Sequence, residues 1–136
     1  MSTVFLVEDS RSQRQMIKAL LAAERFAVKT AASGGDAIAQ IQQHAQQQRP
    51  PDVVILDILM PDLNGYEVCR QLKQHPSTQN IPVIFCSSQG RESDIYWGFR
   101  QGAAAYVTKP FRPEDLTQTI RAVLESSSPS NQPQTH

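Results

Sequence analysis

Neither charge predominates in this chain: 13 lysines and arginines face 13 aspartates and glutamates, scattered along the sequence. Such a surface has no electrostatic footprint for DNA or for an anionic membrane, so neither is an expected partner. Cysteine is scarce, with Cys69 in a helical pattern and Cys86 in an apolar strand. Two such residues read as reduced, packed thiols, not as a disulfide framework, and they favour the cytoplasm. No apolar run approaches the length of a membrane span, and Met1-Ser2-Thr3 leads into a short strand without a basic segment or lipidation signal. The expectation is a soluble, unexported protein. Gly34-Gly35 lacks the Lys-Ser/Thr of a phosphate loop, and His44, His75 and His136 stand near no acid or cysteine at metal-ligand spacing.

What is present is a set of short apolar runs that end in charge. Val4-Phe5-Leu6-Val7 runs into Glu8-Asp9, and Val53-Val54-Ile55-Leu56 runs into Asp57. A run without polar alternation is what a strand covered on both faces looks like. Three more strands are expected, over Phe26 to Thr30, Ile81 to Cys86 and Ala104 to Val107. Between them lie helical patterns. The first follows Ser10-Arg11-Ser12-Gln13, which has the spacing of a capping box, and repeats Met16, Ile17, Leu20 and Leu21. Ser33 caps a second helix carrying Ala37, Ile38, Ile41 and Ala45, which the Pro50-Pro51 pair stops. Asn64 with Glu67 starts a third, bearing Val68, Cys69 and Leu72. Ser93 is the expected cap of a fourth, reaching Arg100, with Ile95 and Phe99 on its inner stripe. The last begins at Phe111-Arg112-Pro113-Glu114 and buries Leu116, Ile120, Val123 and Leu124.

Five strands alternating with five helices on short links predict a single α/β domain over residues 1–125, three layers deep, with a parallel sheet. Residues 126–136 are Ser-, Pro-, Asn- and Gln-rich and are expected to form a disordered tail. In open parallel sheets, sites lie outside the carboxyl ends of the strands. There this chain places Glu8, Asp9, Asp57, Ser87 and Lys109, the last followed by Pro110. Clustered carboxylates repel one another without a cation, and hard oxygens suit Mg²⁺. A lysine and a hydroxyl beside them suit a phosphoryl group, for which Asp57 would be the nucleophile. Taken singly, an acid after a strand often just caps the next helix; it is the group that carries the reading.

Glu8-Asp9, Asp57, Met60-Pro61 with Gly65, Ser87, and Tyr106 with Lys109-Pro110-Phe111 resemble, in order and spacing, the receiver domains of two-component response regulators. The resemblance runs from about Thr3 to Glu125 and implies a flavodoxin-like (βα)5 fold with strand order 2-1-3-4-5. It also implies roles. Asp57 would be the phosphoacceptor for a histidine kinase, and Glu8, Asp9, Asp57 and the backbone carbonyl of Leu59 the ligands of Mg²⁺. Lys109 would bind the phosphoryl group, Ser87 would move toward it, and Tyr106 would change rotamer with Ser87. The Lys109-Pro110 bond is often cis in the family. Leu59 and Gln89 fill the two variable positions flanking the phosphoryl group, and an apolar Leu59 orients no attacking water.

A second resemblance covers Glu92-Ser93-Asp94 and Trp97 to Ala103, which look like the fourth helix of single-domain receivers in type IV pilus twitching and phototaxis systems. It implies a partner surface on the fourth helix, fifth strand and fifth helix, carrying Tyr96, Trp97, Arg100 and Tyr106. Since the chain ends after the fifth helix, output is expected by protein contact, with a pilus motor or a sister receiver as target. The protein would be a monomer or a weak phosphorylation-dependent dimer. Two alternatives compete: a phosphate-sink receiver without output, and an aspartyl-nucleophile phosphatase, which would want a second acid where Leu59 stands. A nucleotide-binding flavodoxin-like module is disfavoured by Glu8-Asp9-Ser10-Arg11 after the first strand.

Overall fold

Alternate residues of each central strand feed opposite cores, which is why the runs carry no polar positions. In a computed structural model, which describes residues 1–127, β1 (Thr3–Val7) sends Phe5 and Val7 to one core and Val4 and Leu6 to the other. The elements follow as α1 (Arg11–Ala23), β2 (Ala27–Ala31), α2 (Gly34–Gln46), β3 (Val53–Leu56) and α3 (Gly65–Gln74). Then come β4 (Val83–Ser87), α4 (Glu92–Arg100), β5 (Ala105–Thr108) and α5 (Pro113–Ser127). The five strands are parallel in the order β2-β1-β3-β4-β5, the flavodoxin-like arrangement. Ile41 of α2 and Leu72 of α3 close one core over Phe5, Leu56 and Phe85. Ile17 and Leu21 of α1, with Leu116 and Ile120 of α5, close the other over Leu6, Ile55 and Ile84. Each of these large side chains, fully buried, contributes about 1.5–3 kcal/mol.

Because the chain turns outward in opposite directions from β1 and β3, α1 and α3 leave those strand ends on opposite faces, and a crevice opens between β1 and β3. Register decides what stands at its rim. Val7 pairs with Leu56, so Glu8 and Asp57 emerge side by side, and the Asp57 N–H donates to the Val7 carbonyl at 3.3 Å. Ser87 pairs with Thr108, and the Lys109 N–H donates to the Ser87 carbonyl at 2.8 Å.

The caps at Ser10, Ser33 and Asn64 form as expected, each side chain accepting from the N–H three residues on. Four expectations shift. The second, fourth and fifth strands start later than the apolar pattern suggested, at Ala27, Val83 and Ala105: the Phe26 N–H is taken by the Leu21 carbonyl at the end of α1, Pro82 cannot donate to a ladder, and Ala104 makes a single bond to the Val83 carbonyl just ahead of β5. The fourth helix is capped from Arg91, whose N–H donates to the Asp94 carboxylate at 3.1 Å, while Ser93 lies exposed in its first turn. Phe99 is not on the inner stripe of α4: it is exposed, Ile95 is half-buried, and Gly98 is the residue that faces the sheet. The last helix also extends through Ser126 and Ser127, so the expected tail begins inside it, and residues 128–136 lie outside the described residues.

Gly65 is fixed by contact with the site loop. A Cβ there would stand 2.2 Å from the Asp57 carbonyl oxygen and 2.9 Å from the Ile58 Cα, backbone atoms that cannot step aside. The Gly65 N–H also donates to the Ile58 carbonyl at 2.8 Å, so loop and helix start are one unit. Gly65→Ala is therefore expected to lower unfolding free energy by roughly 2 kcal/mol or more in urea denaturation. A loss within about 0.5 kcal/mol would mean the loop relaxes freely.

Candidate phosphoacceptor site

Glu8 closes β1 and is 2 % exposed, Asp57 closes β3 and is 9 % exposed, and neither could be buried bare. The cation that compensates them arrives from β5. Lys109 Nζ donates to Glu8 Oε1 at 2.6 Å and to Asp57 Oδ2 at 2.9 Å, spanning strands that are not neighbours of its own. The following Lys109-Pro110 bond is cis, as the resemblance implied. Burial pushes the Glu8 carboxyl above its ordinary range, against the opposing pull of Lys109 and the Ser10 N–H. Burial likewise opposes the Lys109 charge, but the hydrogen bonds to Glu8 and Asp57 outweigh it and hold the ammonium above its usual value. The two shifts point in contrary senses for an ion pair. We read them as one cation divided between two acids, with Glu8, the deeper, the less fully compensated.

Around this centre lies a cavity of about 670 Å³ lined by Glu8, Asp9, Asp57, Lys109, Leu59 and Ser88, with Met16, Leu20 and Phe111 on its apolar side. Asp9 is exposed at its rim. The Leu59 N–H donates to Asp57 Oδ1 at 3.3 Å, and its side chain is 56 % exposed, offering the cavity no polar group. The oxygens of Glu8, Asp9 and Asp57 are the hard donors Mg²⁺ takes. Among the described residues, however, no three acids, histidines or cysteines stand in a ready ligand cage. Lys109 holds the Glu8 and Asp57 oxygens instead, so the donor chemistry fits the ion while the present arrangement has the ammonium in its place.

The remaining expected residues are less uniformly placed. Ser87 is fully buried at the end of β4, and its hydroxyl accepts from the Gln89 N–H at 3.2 Å, turned away from the cavity that Ser88 lines. Tyr106, expected on the partner surface, is half-buried: its hydroxyl donates to the Gln89 carbonyl, and burial pushes its phenol up to about 12. Its ring fits under α4 because position 98 is glycine, where a Cβ would stand 3.0 Å from Tyr106 and 3.1 Å from Phe85. Tyr96 and Trp97 are 58 % and 53 % exposed, packed edge to face, with Arg100 exposed beside them. Cys69 and Cys86 are free and buried, their thiols pushed up to about 11 and 12 by burial.

Sequence reasoning missed three residues here. Gln13 Oε1 accepts from Lys109 Nζ at 2.5 Å, although its capping-box position had assigned it to the helix start. Tyr66 donates from its hydroxyl to the Asp94 carbonyl at 2.8 Å, tying α3 to α4. Asp62 accepts from the N–H groups of Gly34 and Gly35 at 3.0 and 2.8 Å, fastening the site loop to the start of α2. None of these contacts has a local sequence signal, since each joins residues 27 or more positions apart.

A doubly wound α/β domain with an acid and lysine cluster at its switch point is a recognisable class. Residues 4–121 match the family model described as the response regulator receiver domain, and the chain belongs to that family. It is 41 % identical over 124 residues to Protein PilH of Pseudomonas aeruginosa, covering 91 % of this chain and 98 % of that protein. It is 35 % identical to the phosphate regulon transcriptional regulatory protein PhoB of Rhizobium meliloti, over 93 % of this chain but 53 % of that longer protein. Among solved structures, it resembles a putative response regulator from Chloroflexus aurantiacus at TM-score 0.82 and 33 % identity, covering 90 % of this chain and 97 % of that one. Chemotaxis protein CheY4 of Vibrio cholerae matches at TM-score 0.80 and 32 % identity, covering 90 % of this chain and 98 % of that one. No helix among the described residues is long and apolar enough to cross a membrane.

Lys109→Met would leave two adjacent buried carboxylates without their cation. It should cost about 2–4 kcal/mol at pH 7. The sign with pH follows from Glu8. An acid whose folded pKa is raised binds its proton more readily folded than unfolded, so ionising it costs stability as pH rises through that value. Removing Lys109 enlarges that shift. The deficit relative to wild type should therefore shrink as the solution is acidified from neutral pH, measured by denaturation across pH. A deficit that grows on acidification would contradict the assignment.

Proposed function

We propose that the protein is a stand-alone response regulator that takes a phosphoryl group from the phosphohistidine of a histidine kinase onto Asp57. The observation that carries this is the Asp57 carboxylate at the mouth of the cavity, 2.9 Å from the Lys109 ammonium, in a receiver-family chain. A carboxylate oxygen attacks phosphorus, the bond from phosphorus to the imidazole nitrogen breaks, and the electron pair stays on that nitrogen, which is then protonated. Bound Mg²⁺, held by Glu8, Asp9, Asp57 and the Leu59 carbonyl, would neutralise phosphoryl charge. Lys109 supplies a second positive centre and three donors. Leu59 orients no water, so the aspartyl phosphate is long-lived.

The acyl phosphate adds roughly 1.5 to 2 negative charges beside Lys109 and Ser88, one peptide from Ser87. The Ser87 hydroxyl turns from the Gln89 N–H toward the phosphoryl oxygens, and Tyr106, fastened to the Gln89 carbonyl, changes position with that loop. The surface so altered is α4, β5 and α5, with Trp97 as anchor. A pilus- or taxis-type pathway is the reading favoured by the near full-length alignment with PilH, at 41 % identity, and by the sequence of α4. A phosphate-sink role uses the same chemistry without the partner. The phosphatase alternative is weaker, because Leu59 supplies no acid to protonate a leaving group or activate water.

Acetyl phosphate with Mg²⁺ should add one phosphoryl mass to wild type and none to Asp57→Asn, read by intact mass spectrometry. The adduct should decay faster in Leu59→Asn. An equal adduct on Asp57→Asn removes the assignment, and unchanged decay removes the role of Leu59. Trp97→Ala should weaken capture of the activated protein's partner while leaving the unfolding midpoint close to wild type. A large fall in that midpoint would make Trp97 a packing residue instead.

A further inference from the structure

The Lys109 ammonium has three N–H bonds and all three are used: Glu8 Oε1 at 2.6 Å, Asp57 Oδ2 at 2.9 Å and Gln13 Oε1 at 2.5 Å. The third acceptor is unexpected. A glutamine three residues after a serine N-cap would ordinarily reach back to the cap's own N–H. Here that N–H is already taken, since Ser10 N donates to Glu8 Oε2 at 3.0 Å. Glu8 thus caps the start of α1 with one oxygen and binds Lys109 with the other, and the Gln13 amide is left to reach the ammonium from the cavity wall.

We propose that Gln13 is a positioning residue that holds Lys109 in the bridge between Glu8 and Asp57, and so sets the concentration of divalent cation at which the site opens. The inference rests on reading Glu8, Asp9 and Asp57 as a Mg²⁺ site. Ion and ammonium compete for the same oxygens. The oxygens that Lys109 occupies, Glu8 Oε1 and Asp57 Oδ2, are among those a metal would take, so the ammonium must leave at least one of them as the ion enters. Gln13 is a neutral acceptor. It strengthens the bridged arrangement without adding a negative charge that would itself attract the ion. Without it, the third N–H turns to water and the bridge is weaker.

Mg²⁺ is titrated calorimetrically into the full chain at constant ionic strength. Gln13→Met keeps the length and helix propensity of the side chain and removes its acceptor, and Gln15→Met, equally exposed but on another face of α1 and away from the cavity, controls for composition. Gln13→Met should bind Mg²⁺ roughly fivefold more tightly than wild type, the scale of one partly exposed charge-assisted hydrogen bond. Gln15→Met should bind as wild type does. In a Lys109→Met background, Gln13→Met should have no further effect, because a cycle isolates the pair. An unchanged or weaker Mg²⁺ affinity in Gln13→Met, or a shift that persists without Lys109, overturns the proposal. The phosphoacceptor reading fails separately: it falls if Asp57 takes no phosphoryl group, whatever Gln13→Met does to Mg²⁺ affinity. Wild type that gives no Mg²⁺ heat overturns the cation site, and the proposal with it.

Discussion

One ammonium between two buried carboxylates is the constraint around which this domain is arranged. Glu8 and Asp57 emerge side by side because Val7 and Leu56 are paired, and that pairing is itself required by two apolar strands covered on both faces. A slip of one residue in β3 would exchange the residues delivered to the two cores and carry Asp57 out of line with Glu8. Core packing and site geometry are thus the same requirement met twice. Lys109 closes the arrangement from β5, beyond β4, so three of the five strand ends are tied together above the sheet.

That tie is a poor source of stability and a good source of responsiveness. Pairing repays the cost of burying these charges incompletely, which is why the Glu8 carboxyl stays above its ordinary range even with Lys109 at hydrogen-bond distance. A site in that condition has much to gain from added positive charge and much to rearrange on added negative charge. A hydrophobic triad of the same volume would hold the sheet ends together at least as well, but it would respond to neither.

The sequence shows the strands and the acids more plainly than the lysine's partners. Val4 to Val7 and Val53 to Leu56 are legible because a strand buried on both faces tolerates no polar residue, and the caps at Ser10, Ser33 and Asn64 because capping is local. Phe99 was misplaced for a specific reason. Helical periodicity assigns the bulky apolar residues to the inner face, but α4 packs over the rings of Phe85 and Tyr106, and only Gly98 leaves room for them. The inner stripe there is defined by an absent side chain. Gln13, Tyr66 and Asp62 were invisible because each is placed by a partner distant in the chain, and the rule that explained Gln13 locally was already satisfied by Glu8.

Two phenols connect α4 to the loops beside the site. Tyr106 donates to the Gln89 carbonyl just before the helix, and Tyr66 donates to the Asp94 carbonyl within its first turn. Tyr66 directly follows Gly65, whose N–H is bound to the Ile58 carbonyl beside Asp57, and Gln89 donates its own N–H to the Ser87 hydroxyl. The start of α4 is therefore held by two phenols, one answering to the loop after β3 and one to the loop after β4. Both loops border the carboxylate that Lys109 holds. The rings of Tyr66, Phe85 and Tyr106 pack in sequence beneath the helix, so a change in one phenol's position is felt by its neighbours. Tyr96 and Trp97 stand on the outer side of the same short helix. Under the proposed switch, a displacement that released either phenol would shift the base from which those exposed rings project, since packed interfaces move between discrete arrangements instead of deforming continuously.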